Sequence, residues 1–388
     1  MILYFITDSR FARSNESIYN LNGSLGDTLW ARYLEHFEKV VVVARMLQNA
    51  PINKNAPVTT DPRVSFVEIP YFVGPFQYLR LKHRIKDILK NIIRRDCAYI
   101  CRVPGTLGNL AIEEFRKHNI KYAIEVVGDP QDSLSYTATH KILPALLSKF
   151  SAKDLRRNAR YANAALYVTN ETLQKRYPVQ KEAFSIGVSD VVVDTNMRHE
   201  DIKPFPNGGL IRLLAVGSLE QMYKSPDIVL KALVKVKQLG IKAHLTWLGD
   251  GKYKQAMINL AHSLGIGESV SFVGNVSKME VNEYLRKSDV YIQASRTEGL
   301  PRALVEAMAV GLPCIGTRVG GIPELVSESY LMNVDDYKRL AEILYRFAND
   351  KEYVNIAKEE NFKKALAFNT ADLKDKRNKF FNAVKMLY

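Results

Sequence analysis

The sequence predicts an α/β protein built from two doubly wound, Rossmann-like domains whose parallel sheets face a central cleft. Three observations lead there. The chain has 388 residues, enough for two ordinary domains. Hydrophobic residues make up 47% and charged residues 25%, which excludes a disordered chain and supplies side chains for real cores. Short apolar runs alternate with longer stretches of helical periodicity along nearly the whole length, the signature of right-handed βαβ crossovers.

In the first half, strands are expected at residues 2–6, 40–44, 64–69, 98–101, 122–127, 164–168 and 184–188. Most are near-continuous apolar runs, as a strand buried on both faces requires. Helical patterns fall between them at 26–37, 78–94, 107–118, 141–157 and 171–177. The second half repeats the plan, with strands at 212–216, 244–248, 270–273, 290–293 and 313–316 and helices at 225–239, 254–264, 278–287 and 301–310. The stretch MRHEDIKPFPNGG at 197–209 is polar, carries two prolines and two glycines, and lacks periodicity. It reads as a linker between domains 1–196 and 210–369. Residues 370–388 are Lys-rich with helical periodicity and are expected to form a last helix packing back on the first domain.

Charge narrows the partners. Lys and Arg number 55 against 41 Asp and Glu, a net +14. That balance favours nucleic acid, anionic lipid headgroups or a phosphorylated small molecule. Three cysteines, Cys97, Cys101 and Cys314, build neither a disulfide framework nor a zinc site and read as buried free thiols. The start MILYFITDSR has no basic residues ahead of a long apolar run, so it reads as a first buried strand and not a signal peptide. No apolar stretch reaches about 18 residues. A cytoplasmic protein is expected, with any membrane contact peripheral.

The richest stretch is RTEGLPRALVEAMAVGLPCIGTRVGGIPELV, residues 296–326. A strand ends near Gln293, and a loop carries Glu298, Gly299 and Leu300. Pro301 suits the first helical position, and Gly311 a C-terminal cap. Free amides at the helix start suit an anion. Glu298 in the loop and Glu306 on the helix suit paired hydroxyls of ribose or sugar, since a carboxylate accepts from both.

This block resembles the donor-binding signature of glycosyltransferase family 4, retaining enzymes of the GT-B fold found in bacterial surface-polysaccharide assembly. The glutamate pair, Gly-Leu-Pro, Glu-Ala-Met and Gly320-Gly321-x-Pro-Glu324 occur in register. The resemblance implies that Glu306 accepts from the ribose hydroxyls of a nucleotide sugar and that Glu298 contacts the transferred sugar. Amides around Gly299, Leu300 and Pro301 would face the sugar and diphosphate. In LLAVGSLEQMYKSPD, Gly217 and Lys224 match the diphosphate-holding positions, but Ser218 stands where the family has Arg. Arg296, Arg302 or the hydroxyl would have to compensate. Val276 falls where relatives contact the base through main chain. Gly249-Asp250-Gly251 suits a cleft wall or an ordinary turn. Asn22-Gly23-Ser24-Leu25-Gly26 resembles the family's glycine-rich loop, which places Gly23 at the donor or in a plain helix cap. Many relatives carry a His after the strand at 122–127; here Asp129 is the nearest polar residue, a candidate to orient the acceptor or simply to start a turn before Pro130, and Arg102 is a further cleft candidate.

The implied reaction moves a sugar from a nucleoside-diphosphate donor, UDP- or GDP-linked, to a hydroxyl of a glycan or lipid-linked acceptor, keeping anomeric configuration. Glu298, Lys224 and Asp129 are the candidate catalytic residues. No Asp-x-Asp occurs, so no metal and no cofactor are expected. The first domain would be the acceptor side and the second the donor side. Residues 78–95, YLRLKHRIKDILKNIIRR, form a basic amphipathic helix that suits either an anionic membrane or ordinary packing on the sheet. The missing Arg and His leave open a catalytically silent partner subunit. A nucleic-acid binder rests on charge alone, without interleaved aromatic and basic motifs.

Overall fold

The computed structural model describes residues 1–14, 17–21, 25–48, 56–130, 142–191, 193, 204–206 and 209–388. In the first domain the strands are β1 (Ile2–Ser14), β2 (Ser17–Asn20), β3 (Lys39–Gln48), β4 (Val58–Thr59), β5 (Val64–Pro70), β6 (Ala98–Val103), β7 (Ala123–Val126), β8 (Ala164–Tyr167) and β9 (Phe184–Gly187). The helices between them are α1 (Asp27–Leu34), α2 (Gly74–Asn91), α3 (Thr106–Lys117), α4 (Ile142–Arg160) and α5 (Thr172–Arg176). The parallel core runs β5-β3-β1-β6-β7-β8-β9.

The second domain has β10 (Ile211–Val216), β11 (Ala243–Leu248), β12 (Val270–Gly274), β13 (Val290–Gln293), β14 (Cys314–Thr317) and β15 (Leu331–Met332). Its order, β12-β11-β10-β13-β14-β15, is all parallel. Helices α6 (Pro226–Gln238), α7 (Lys254–Ser263), α8 (Lys278–Lys287), α9 (Arg302–Ala309), α10 (Ile322–Leu325), α11 (Tyr337–Asn349) and α12 (Lys351–Ala365) surround it. In both sheets the winding reverses beside the first strand, so each domain opens a crevice at that strand's carboxyl end. The two crevices face each other. This is the GT-B architecture expected from the sequence.

The sheets are apolar on both faces because crossover helices cover both. Phe5, Ile100, Ile124, Leu214 and Ile315 have essentially no exposed surface. The three cysteines are free and buried.

The structure departs from the expected elements where polar residues hide a strand. β1 runs on to Ser14 instead of ending at Ile6. Its first part lies between β3 and β6; after an irregularity between Ile6 and Arg10 its second part pairs with β3 and, antiparallel, with β2. The sequence TDSRFARS carries too few apolar residues to announce that extension. α11 and α12 were also absent from the expected set, although Leu340, Ile343, Leu344 and Phe347 are buried at helical spacing. Of the linker expected at 197–209, only 204–206 and 209 lie within the described residues.

The last helix, α13 (Thr370–Lys385), lies on the first domain. Phe381 packs 5.1 Å from Tyr33 between ring centroids, His36 Nε2 meets Asn378 Oδ1 at 2.9 Å, and Lys374 pairs with Glu35 at 2.9 Å.

Candidate functional site

A cleft of about 820 Å³ lies between the two sheets' carboxyl ends. Its second-domain wall carries Gly217, Lys224, Val276, Leu300, Pro301 and Glu306, with Glu298 at its floor and Arg302 beside it. The sequence placed these residues on three separate strand ends; the fold brings them together because parallel strands deliver all their following loops to one edge.

Lys224 reaches the cleft through a tight device. A single 3-10 turn, Met222–Lys224, ends at Ser225, which is buried with φ 55° in the left-handed region. Pro226 then opens α6 at its first turn. The lysine stem folds back over Gly217: a Cβ there would sit 2.6 Å from Lys224 Cγ. Nζ meets Glu298 Oε1 in a very close ion pair with both side chains largely buried. Burial alone would lower the ammonium's pKa, but the Glu298 carboxylate and the Tyr223 hydroxyl hold it above the usual lysine value.

Glu298 is positioned by a relay along β13 and its extension. Tyr291 donates to Gln293 Oε1 at 2.8 Å; the Gln293 amide donates to Glu298 Oε1 at 2.8 Å, and the Ser295 hydroxyl donates to the same oxygen at 2.6 Å. Three donors thus converge on Oε1. Among the described residues the other oxygen, Oε2, has no hydrogen-bond partner, so it is available to a ligand hydroxyl. Sequence reading missed Tyr291, Gln293 and Ser295. Their spacing of two along a strand that ends at the motif was the available signal.

Arg302 and Glu306 are four apart and therefore share one face of α9. No hydrogen bond or ion pair engages the Glu306 carboxylate among the described residues, which leaves both oxygens open as acceptors. Pro301 is the residue before the helix, not its first position: α9 begins at Arg302. Gly311, with φ 73°, closes the helix as expected.

Several expected positions are corrected. Ser218 does not line the cleft; its hydroxyl donates to Asp250 O at 3.3 Å and accepts from Glu220 N at 3.1 Å, closing its own loop. Arg296 does not reach the cleft. It pairs with Asp227 at 2.9 Å and Asp335 at 2.6 Å and donates to Met222 O at 2.6 Å, so it braces the turn that carries Lys224. Of the two arginines considered for the missing phosphate cation, only Arg302 is at the cleft. Gly249 and Gly251 pack against the backbone of residues 217–220, a structural task. The Asp129 carboxylate has no exposed surface. It accepts from Arg176 and from the Tyr177 hydroxyl, so its charge is spent on this corner and not offered to an acceptor. Gly23, with Asn22 and Ser24, lies outside the described residues.

Gly299 does not line the main cleft. It closes the seam between domains, where an added Cβ would approach Val127 O at 2.6 Å. On the far side of the Glu298 loop a second hollow of about 340 Å³ is walled by Pro104, Val127, Tyr223, Thr297 and Gly299. The first-domain wall of the main cleft carries Arg32, Arg102 and Asp190.

Residues 196–364 match the family model for glycosyl transferases group 1. The chain is 28% identical to Protein CapJ of Staphylococcus aureus over 382 residues, which is 98% of this chain and 94% of that one. It is 31% identical to the amylovoran biosynthesis glycosyltransferase AmsK of Erwinia amylovora over 147 residues, 36% of either chain. Among solved structures, HepE from Anabaena in complex with UDP and glucose superposes with a TM-score of 0.63 at 14% identity, covering 98% of this chain and 99% of that one. At that identity the likeness shows the shared fold.

Proposed function

We propose, from the match of residues 196–364 to the group 1 glycosyl transferases and the full-length similarity to Protein CapJ, that this chain is a member of that family and moves a sugar from a nucleoside-diphosphate donor, UDP- or GDP-linked, to a hydroxyl of a glycan or lipid-linked acceptor with retention of anomeric configuration. The observation that carries this reading is the convergence of Lys224, Glu298 and Glu306 on one cleft, with a carboxylate oxygen on each glutamate that has no partner among the described residues. Glu306 takes the ribose hydroxyls. Glu298 Oε2 takes a hydroxyl of the transferred sugar. Lys224 and the first-turn Arg302 stabilise charge growing on the diphosphate. The bond from the anomeric carbon to the phosphate oxygen breaks as the acceptor oxygen attacks from the same face, and the departing phosphate oxygen takes the acceptor's proton. The protein's contribution is positioning and charge stabilisation, without a dedicated base and without a metal.

AmsK is named for polysaccharide biosynthesis and HepE was solved with UDP and glucose. The first supports a role in bacterial surface-polysaccharide assembly and the second a nucleotide-sugar donor. The assigned units are an acceptor-side domain 1–196, a linker 197–209, a donor domain 210–369 and the returning helix 370–388. A thermal-shift screen with UDP-, GDP- and ADP-sugars in EDTA tests the reading. One donor should stabilise the wild type, Glu306→Ala should abolish that shift, and Lys224→Ala should reduce it. A wild type indifferent to every donor leaves the silent-subunit alternative.

One observation favours action at the cytoplasmic face of a membrane. Of the two uses the sequence left open for the apolar stripe of α2, the structure shows packing: Ile85 and Leu89 are buried against the sheet. A different apolar group, Val73, Phe76 and Leu79, stands exposed at the start of α2, with Phe76 82% exposed, beside exposed Arg80 and Arg84. Among the described residues no helix is long and apolar enough to cross a membrane.

A further inference from the structure

The first-domain wall of the cleft holds a charge arrangement that the donor reading does not use. Arg32, on α1, approaches Asp190 Oδ1 at 3.7 Å, and Arg102, on β6, approaches Asp190 Oδ2 at 3.4 Å. Each guanidinium has five N–H donors in a fixed fork, and each spends one long contact on a single half-exposed carboxylate. Both arginines line the cleft. Arg377 stands directly behind, donating to Ser189 O at 2.5 Å. Glu125, the other nearby acid, is buried and accepts from the Tyr33 hydroxyl at 2.6 Å. Burial pushes its carboxyl above the usual range even with Arg102 close by, which weakens it as a counter-charge. Among the described residues, three guanidinium groups therefore cluster at the Asp190 carboxylate, and two of the three open onto the cleft. A paired fork of this kind matches the oxygens of a phosphoryl group.

Resting on the proposed glycosyl transfer, we propose that Arg32 and Arg102, spaced by Asp190, bind a phosphoryl group carried by the acceptor. The donor side already has Lys224 and Arg302 on the second domain. Arg32 and Arg102 rise from the opposite domain, the side from which an attacking hydroxyl must arrive. A phosphoryl group anchored there fixes the distance between that hydroxyl and the anomeric carbon. Two acceptors share this chemistry, a soluble sugar phosphate and a lipid diphosphate.

The test uses the full chain and titrates inorganic phosphate, glucose 6-phosphate, farnesyl diphosphate and succinate, read by thermal shift and calorimetry. Inorganic phosphate should bind the wild type, and at least one of the two esters should bind more tightly; the tighter one identifies the source. In Arg32→Gln/Arg102→Gln the affinity should fall about tenfold or more. Asp190→Asn removes the competing carboxylate and should tighten binding about fivefold, a gain that a misfolded variant cannot show. The proposal is overturned if the double arginine variant binds as the wild type does, if Asp190→Asn weakens binding, if neither ester improves on phosphate, or if succinate binds equally well. Failure of the donor reading shows separately, as absence of any nucleotide-sugar shift in the wild type.

Discussion

The Glu298 carboxylate is what offsets the burial of the Lys224 ammonium. Both side chains are largely withdrawn from water, and removing the Glu298 carboxylate leaves the Lys224 ammonium buried without its counter-charge. Glu298→Gln should therefore destabilise the protein by about 3 kcal/mol at pH 7. The sign of its pH dependence follows from linkage. Without the carboxylate, burial drives Lys224 below the ordinary lysine pKa, so the unfolded chain binds the proton more tightly than the folded one. The loss is then full at neutral pH and is relieved as pH rises toward about 10.5. Denaturation of Glu298→Gln from pH 7 to 10 checks this, and adding Lys224→Met should restore most of the stability; a flat profile with no rescue would show that the pair is energetically idle. Gly217 makes a second test at this scale. Gly217→Ala puts a methyl at the position now filled by the lysine stem. Donor affinity should fall toward that of Lys224→Ala, while the melting temperature changes less than in Glu298→Gln. Equal donor binding by Gly217→Ala and wild type would mean that the stem has another route to the cleft.

At the scale of elements, the second domain was far more legible than the first. Its strands are short, apolar and cleanly spaced, and Glu298, Gly299, Leu300 and Glu306 sit in one contiguous motif. What the sequence hid was how that motif is held. The Gly320-Gly321-x-Pro-Glu324 block looked like part of a ligand site, yet its resolved contacts are structural. Gly320, at φ 50°, lies against the Glu298 carbonyl, and Gly321 N donates to Gly299 O at 2.7 Å. Glu324 crosses the seam to accept from the amides of Asn170, Glu171 and Thr172 at 2.8, 3.2 and 2.6 Å, capping α5 of the other domain. A cap supplied from 150 residues away has no local pattern. Asp129 misled for the converse reason: a polar residue at a strand end is a cleft candidate until Arg176 and Tyr177, distant in sequence, are seen to consume it. Glu324→Ala should cost about 1–2 kcal/mol in chemical denaturation, as the loss of a charged cap does. It should also loosen the Glu298 loop, seen as faster amide exchange at Gly299 and Leu300. An unchanged midpoint would mean that water replaces the carboxylate at no cost.

For the whole molecule, the open question is which way the cleft faces. α13 ties the chain's end to the first domain through Phe381 and Lys374, so this domain is braced on one flank. Away from that helix, α2 begins with Val73, Phe76 and Leu79 in solvent, followed by Arg80, His83 and Arg84, all exposed. Two exposed bulky side chains three residues apart on a basic helix can enter a headgroup layer while the arginines meet lipid phosphates. Hydrophobic insertion and electrostatics contribute separately, and the experiment can separate them. The protein should sediment with vesicles containing phosphatidylglycerol and remain in solution with pure phosphatidylcholine. Raising salt from 0.05 to 0.5 M should weaken binding, because screening shortens the reach of the arginines. Phe76→Ser/Leu79→Ser should reduce vesicle binding about tenfold, since two large apolar side chains at roughly 1.5 kcal/mol each exceed one decade even when half inserted. The same variant should keep the wild-type melting temperature, because neither side chain packs in a core. Equal binding to neutral and anionic vesicles, or full binding by the double serine variant, would remove the membrane from this surface and leave a soluble acceptor as the substrate to seek.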